Sequence, residues 1–383
     1  GISTQLHSNF GTINASGIIT ATEFVPTQGQ LSNRNVIING AMKISQRGTS
    51  ETSVGNQNGY GQWPDRFREF LATTAKAGVW TISQDSESPN GFTKSTKWDC
   101  TTAGTLAADS FGGYEQYIEG QNVQRFAKGT SDAQPGVLSF YVKTNKTGTY
   151  AIEFRDNDNS RMVGGTYTVS DTNWNRYQVP MPADTTGAWD DDTSSSLWIR
   201  WWLVAGSNFT SGTPRTAWAA GVSDQFLAAG QTVDLSDNTS NEWHITGVQL
   251  EVGSTATPFE HTSYQHELLE CQRYFAFIGA GFVTGARATS SSALTYAYTS
   301  PVPMRGTPTV TTSDTLAEGT WNMRCFRDST GTNDSTNTPG IGSMTAPNGT
   351  NIRLTQAGFS VTDDRASVVM IQGGAIVLDA EIS

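Results

Sequence analysis

The sequence Leu197-Trp-Ile-Arg-Trp-Trp-Leu-Val204 alternates its side chains between two faces with the period of two that defines a β-strand. Its odd-numbered residues from 197 to 203 are all apolar, and we expect them to face a core. Trp198, Arg200 and Trp202 lie on the opposite face. Because both faces carry aromatic rings, the strand holds more aromatic surface than one core needs, and the second face is a candidate binding surface.

Other segments repeat this alternation. Residues 138–143 and 150–155 each alternate apolar and polar side chains, and the turn-forming sequence Thr144-Asn-Lys-Thr-Gly148 separates them. This spacing predicts a β-hairpin. Strand-like runs at 167–169 and 176–179 continue the series at spacings typical of an antiparallel β-sandwich.

The segment from residue 243 to 252 changes phase midway. Trp243 and Ile245 share one face, but Leu250 joins them only if Gly247 is an extra, bulged residue. The sequence therefore predicts a β-bulge at Gly247, and the sandwich is expected to close near Glu260.

One segment has a strong helical pattern. Ser263 is a good N-cap, and Tyr264, Leu268, Cys271 and Phe275 follow it at helical spacing. We expect a short connecting helix with these four side chains on its buried face.

Strands are again predicted beyond this helix, at residues 293–298, 307–312, 351–354 and 368–378. Residues 328–350 are rich in Gly, Asn and Thr, which predicts a long loop. The C-terminal part therefore forms a second, smaller β domain.

Composition excludes several classes of function. The 383 residues include 35 acidic and 24 basic side chains, a formal net charge of -11, which disfavours binding to nucleic acid or to anionic lipid. No apolar run approaches the roughly 20 residues that a membrane span requires, so no membrane insertion is expected. No Lys or Arg precedes Arg34, and a secretory signal peptide is not expected.

Cys100, Cys271 and Cys325 are far apart in sequence, which predicts three unpaired thiols and assembly in a reducing cytoplasm. The sequence lacks nucleophile-elbow, P-loop and His-Glu-x-x-His motifs. Acidic groups at 156–158, 190–192 and 363–364 keep a polysaccharide depolymerase open as an alternative. The protein is expected not to be an enzyme.

Residues 11–24 alternate small polar and apolar side chains around glycines. Such a segment cannot form a core alone. We expect Ile13, Ile18 and Phe24 to pack against copies of themselves or against another protein. The alternative is a frayed N-terminal tail.

The second face of the strand at 197–204 suits a sugar, because aromatic rings stack on C–H faces and polar side chains bond to hydroxyl groups. The candidate glycan-binding residues are Trp198, Arg200 and Trp202, with Trp174 and Trp189 as loop contributors. The alternative is that these rings pack in the core or against a neighbouring subunit.

A series of motifs resembles the carbohydrate-binding-module-like domain found in tail-fibre proteins of tailed bacteriophages, especially marine ones. The motifs are Asn35-Val-Ile-Ile-Asn-Gly-Ala-Met-Lys-Ile-Ser-Gln-Arg-Gly-Thr49, Trp63-Pro-Asp-Arg-Phe67, Gln116-Tyr-Ile-Glu-Gly120 and Trp243-His-Ile-Thr-Gly-Val-Gln-Leu-Glu-Val-Gly253.

The resemblance implies a jelly-roll sandwich. Together with the patterns above, the expected fold is all-β, an antiparallel jelly-roll β-sandwich with an N-terminal oligomerising β segment and a smaller C-terminal β domain joined by a short helix. The expected parts are an attachment segment at 1–34, the jelly roll at 35–260, and the helix with the C-terminal β domain at 261–383. Related carbohydrate-binding jelly rolls often hold a structural calcium near the closing strand, and Glu251 is the candidate ligand here; no other cofactor is expected.

As to function, the resemblance implies a virion protein that assembles in the host cytoplasm, forms a homotrimer, and contacts other virion proteins through its N-terminal segment. Two classes remain open. One is a receptor-binding tail fibre that contacts host surface polysaccharide without cleaving it. The other is an architectural component of tail, baseplate or capsid surface, because a fold alone does not specify a function.

Overall fold

The computed structural model describes residues 32–55, 63–72, 77–290, 293–313, 322–326, 333–336, 341–345, 351–357 and 366–381. The predicted N-terminal contact residues, Ile13, Ile18 and Phe24, lie outside these ranges. The backbone of Cys325 is described, but its side chain is not. Cys100 and Cys271 are unpaired, as predicted, and both are buried. No helix in the described ranges is long and apolar enough to span a membrane.

The first part of the chain is a sandwich of two six-stranded antiparallel sheets. Its strands are β1 (Ser50–Val54), β2 (Arg68–Leu71), β3 (Val79–Asp85), β4 (Ser95–Thr102), β5 (Phe111–Glu119), β6 (Gly136–Thr144), β7 (Gly148–Asp156), β8 (Arg161–Val169), β9 (Asn175–Met181), β10 (Ser195–Ala205), β11 (Ala219–Ala220) and β12 (Glu242–Val252). The first sheet has the order β1-β3-β4-β12-β6-β9, and the second β11-β8-β7-β10-β5-β2. The predicted all-β jelly-roll sandwich is confirmed.

The core lies between these sheets, as the alternation in β10 predicts. Leu197, Ile199, Trp201 and Leu203 are all fully buried. The Trp201 ring packs edge-on against Phe140 of the first sheet, with centroids 5.7 Å apart. Large rings of this kind contribute most of the apolar area that holds the two layers together.

The predicted hairpin at residues 138–155 is wrong. Strand β6 pairs with β12 and β9 in the first sheet, whereas β7 pairs with β10 and β8 in the second. The intervening turn therefore crosses from one layer to the other. Because Phe140 and Phe154 both point into the core from their own layers, the apolar pattern is the same as in a hairpin.

The bulge at Gly247 is confirmed. Pairing between β12 and β6 shifts register between Thr246 and Gln249. Gly247 has φ of +62°, a conformation that glycine adopts without steric cost. The extra residue restores the phase, so that Val248 and Leu250 are both fully buried.

Three short α-helices are present in the described ranges: α1 (Gly120–Val123), α2 (Ser207–Thr210) and α3 (Tyr264–Gln272). Helix α3 begins as predicted, because the Ser263 hydroxyl accepts a hydrogen bond from the His266 backbone N–H. Cys271 is buried, but Tyr264 is 55% exposed, so the predicted buried face is wrong at its first turn.

The C-terminal part contains two further antiparallel sheets, of orders β13-β22-β16 and β18-β17-β21-β14-β15-β20-β19. Their strands are β13 (Phe275–Ile278), β14 (Val283–Ser290), β15 (Ala293–Thr299), β16 (Thr309–Ser313), β17 (Asn322–Phe326), β18 (Asn333–Thr336), β19 (Ile341–Thr345), β20 (Asn351–Ala357), β21 (Ala366–Gly373) and β22 (Ala375–Asp379). The predicted loop at 328–350 is wrong in part, because β18 and β19 lie within it.

These sheets have their own apolar cluster, which includes Leu294, Ile371 and Leu378, separate from the cluster inside the sandwich. The domain boundaries at residues 34 and 260 stay predictions.

Candidate ligand-binding cleft

The outer face of the second sheet carries ordered cross-strand rows. Strand β10 lies between β5 and β7, so each outward residue of β10 faces one neighbour on either side. Trp198 is opposite both Tyr117 and Arg155, and Arg200 is opposite residues 115 and 153. Residues directly opposite on one face of a sheet are close enough for their side chains to interact.

The first row is a stack of Tyr117, Trp198 and Arg155. The Tyr117 and Trp198 rings are stacked, with centroids 4.3 Å apart and planes 9° apart. The Arg155 guanidinium carbon lies 4.6 Å from the centre of the Trp198 ring, in a cation–π contact. Since β5 and β7 lie on opposite sides of β10, these two groups cover the two faces of the indole. Trp198 is therefore half-buried, and the prediction that it offers an open stacking surface is wrong.

The second row is charged and buried. Arg200 Nε lies 2.5 Å from Glu115 Oε2, and Arg200 Nη1 lies 3.6 Å from Glu153 Oε2. Arg68 Nε lies 2.6 Å from the other oxygen of Glu115. Both carboxylates have no exposed surface. Paired charges of this kind hold one another in place, because removing a partner leaves an uncompensated buried charge.

Burial raises the pKa of Glu153, although the Arg200 and Arg155 guanidinium groups act in the opposite direction. Burial alone would lower the pKa of Arg200, but the carboxylates of Glu153 and Glu115 outweigh it and the pKa is raised. Arg200 therefore remains charged throughout the range of pH in which proteins are stable.

Trp202 is only 2% exposed, so the prediction that it lies on an accessible surface is wrong. Its ring centroid lies 5.1 Å from that of Phe70 and 5.4 Å from that of Phe209. Its Nε1–H donates a hydrogen bond to Glu153 Oε2, 3.2 Å away. Residues 206–230 fold over this end of the sheet and cover it. Strand periodicity identifies the face on which Trp202 lies but contains no information about how the irregular segment after β10 folds back.

A cleft of about 290 Å³ remains between the covering segment and the charged row. Aromatic side chains supply much of its wall, and charged groups lie beside them. The aromatic lining residues are Phe70, Phe111, Tyr117, Trp202 and Phe209, and the charged ones are Arg68, Glu115, Arg155, Arg200 and Asp224.

Most of these residues were not predicted as site residues. Arg155 had a usable signal, because it alternates with the core residues Ile152 and Phe154 and must point outward from its sheet. Phe209 and Asp224 had none, since the segment that brings them to the cleft is irregular.

The two predicted loop contributors are not in the cleft. Trp189 is 5% exposed and belongs to the main core, where its ring lies 6.0 Å from Phe126. Trp174 contacts His244 of β12, in the first sheet, with ring centroids 5.9 Å apart. The prediction that Trp174 and Trp189 join the outward face of β10 is therefore wrong.

The surroundings of Glu251 do not fit a calcium site. Its carboxylate is 2% exposed and accepts hydrogen bonds from Gln249 Nε2 at 2.8 Å and from the Thr257 N–H at 2.8 Å. The Thr257 hydroxyl also donates to it, at 2.8 Å. Calcium requires about six to eight oxygen ligands, whereas amide donors occupy positions around this carboxylate. No group of three or more His, Cys, Asp or Glu side chains placed to hold a metal ion occurs in the described ranges.

No protein-family model and no curated protein matches the chain. Solved structures that resemble it include the enzymatically active domain of tailspike protein 4 from bacteriophage CBA120, with 12% identity, a TM-score of 0.30, and coverage of 57% of this chain and 21% of that one. Another is a family 16 carbohydrate-binding module, with 14% identity, a TM-score of 0.25, and coverage of 56% and 99%.

The tandem family 22 carbohydrate-binding modules of Paenibacillus barcinonensis Xyn10C match with 8% identity, a TM-score of 0.28, and coverage of 94% and 100%. The chain spans only 21% of the tailspike domain and 29% of the Clostridium thermocellum xylanase modules that it also matches. TM-scores of this size assign neither a family nor a ligand, and the fold assignment rests on strand order and register.

Proposed function

We propose that the protein binds glycan chains without cleaving them, through the cleft on the second sheet. One observation carries this proposal: the cleft combines aromatic walls with fixed charged groups on a rigid sheet. Sugar rings have apolar C–H faces and polar edges, so a site with both kinds of surface suits them. The predicted site thus moves from the open face of Trp198 to the cleft beside it.

The state of the two carboxylates supports binding without cleavage. Glu115 and Glu153 have no exposed surface, and both are held by Arg200. A general acid or nucleophile must reach the glycosidic bond. Glu153 is not among the residues that line the cleft. Glu115, which is, has no exposed surface and is bonded to both Arg68 and Arg200.

A depolymerase is the second candidate. The observation that favours it is the raised pKa of Glu153, close to a second carboxylate, because such a pair supplies an acid and a base in glycosidases. Incubation with host polysaccharide followed by a reducing-end assay tests it. Release of reducing ends that disappears in Glu153→Gln would replace the binding proposal.

A glycan array probed with the purified protein tests the binding proposal. Phe209→Ala removes one aromatic wall, and we expect roughly a tenfold loss of affinity for the glycans that bind. Tyr264→Ala removes an exposed ring from α3, away from the cleft, and should leave binding unchanged. An array without any binding glycan would contradict the proposal.

The sequence resemblance supports a virion role for this binding activity. We propose a homotrimeric tail fibre in the virion that contacts host surface polysaccharide, with residues 1–34, including Ile13, Ile18 and Phe24, contacting copies of the chain or other virion proteins. Sedimentation should give a trimer that becomes a monomer when residues 1–34 are removed. A trimer without affinity for any glycan would favour the architectural alternative.

A further inference from the structure

One arginine in the cleft, Arg155, has no hydrogen-bonded acidic partner in the described ranges, although the Glu153 carboxylate lies within electrostatic range of it. Arg68 and Arg200 both bond to Glu115, at 2.6 and 2.5 Å. Arg155 forms neither a hydrogen bond nor an ion pair within the described ranges, and its Nε is buried without an acceptor. A buried donor without an acceptor costs free energy. The Arg155 side chain is only part-buried and lines the cleft, so the rest of its unpaired guanidinium can bond to an acceptor that a ligand supplies.

The position of Arg155 is fixed by its surroundings. It lies in the middle of the second sheet, on β7 between β8 and β10, and its guanidinium rests on Trp198. Trp198 is held in turn by Tyr117 on its other face and by a hydrogen bond from its Nε1–H to the Ser195 hydroxyl. A guanidinium held in this way loses little conformational entropy when it binds a planar anion.

We propose that the cleft selects glycans that carry carboxylate groups, with Arg155 binding the carboxylate. This inference rests on the proposed function and adds the class of sugar, a hexuronate. The planar fork of a guanidinium matches the two oxygens of a carboxylate. Asp224, exposed on the other side of the cleft, accepts hydrogen bonds from sugar hydroxyl groups.

Long-range electrostatics does not produce this selection. The net charge of -11 repels an acidic polymer at a distance. Ionic screening confines that repulsion to about 8 Å at physiological salt, so the preference depends on short-range contact with Arg155. The preference should therefore disappear with this one side chain.

Titration calorimetry with hexuronate oligomers and their methyl esters tests the proposal, because the esters keep the sugar backbone and lose the charge. The wild-type protein should bind the acids roughly tenfold or more tightly than the esters. Arg155→Gln should bind both equally, and Arg155→Lys, which keeps the charge without the fork, should retain part of the preference. Lys143→Gln removes one positive charge from the first sheet and should keep the full preference.

Equal binding of acids and esters by the wild-type protein would overturn the inference and leave the proposed function standing. So would a full preference for the acids in Arg155→Gln. If no oligomer and no array glycan binds, the proposed function fails as well. Thermal unfolding checks that each variant folds. If Arg155→Gln does not fold, the ratio of acid to ester affinity in the wild-type protein and in Arg155→Lys decides the question.

Discussion

Gly247 shows how one residue sets the packing of a strand. A Cβ atom built there would lie 2.6 Å from Phe92 Cζ and 2.9 Å from Tyr141 Cδ2, and the φ of +62° is unfavourable for other residues. We expect Gly247→Ala to lower the free energy of unfolding by about 2 kcal/mol in urea denaturation. Gly164 in β8 has ordinary contacts, the nearest at 3.6 Å, so Gly164→Ala is the control. Equal effects of the two would contradict this explanation.

His244 makes the stability dependent on pH. It is 1% exposed, both ring nitrogens lack hydrogen-bond partners in the described ranges, and burial lowers its pKa although Glu242 and Glu87 act in the opposite direction. The unfolded chain takes up a proton near pH 6.5 while the folded chain remains neutral, so stability is lost as pH falls below about 6.5. His244→Gln should therefore lose less stability than the wild type between about pH 7.5 and 5.5 in denaturant titrations. The same loss of unfolding free energy with falling pH in the wild type and in His244→Gln would contradict this prediction.

At the scale of the element, β10 depends on the charged row along its outer face. Glu115 bonds to both Arg68 and Arg200 and has no exposed surface. Glu115→Gln removes the carboxylate to which both guanidinium groups bond, and we expect a loss of about 3 to 5 kcal/mol in the free energy of unfolding. Glu87 is 45% exposed and pairs with Lys143, so Glu87→Gln should change the free energy of unfolding by less than about 1 kcal/mol. A small effect of Glu115→Gln would show that the row contributes little to stability.

At the scale of the whole molecule, Glu381 joins the sandwich to the C-terminal sheets. Arg47 and Arg66 of the sandwich both pair with its carboxylate. Their guanidinium groups also rest on Phe275 and Tyr274, at 3.7 and 3.5 Å from the ring centres. These contacts hold two separate apolar clusters side by side.

Glu381→Gln should weaken this junction, because a neutral amide cannot balance the two guanidinium groups. We expect faster hydrogen exchange in β13 and β22 and unchanged exchange in β10. Asp379 is 43% exposed and lies 3.5 Å from Arg47, so Asp379→Asn should have a smaller effect. Faster exchange throughout the sandwich would mean that the two parts unfold together.

The sequence by itself determined the features that depend on neighbouring residues in the chain. The alternation in β10 separates Trp201 from Trp198, the phase change at Gly247 predicts the bulge, and Ser263 begins α3. Strand period, backbone conformation and helix capping are local properties, so each can be derived from a few consecutive residues.

Only the tertiary structure decided which strands share a layer and what covers their outer faces. Strands β6 and β7 have the pattern of a hairpin, yet they lie in different sheets. The 206–230 segment buries Trp202, and the pairing of β10 with β5 and β7 places Tyr117 and Arg155 on either side of Trp198. These arrangements depend on contacts between residues far apart in the chain, whose free energies no short stretch of sequence contains.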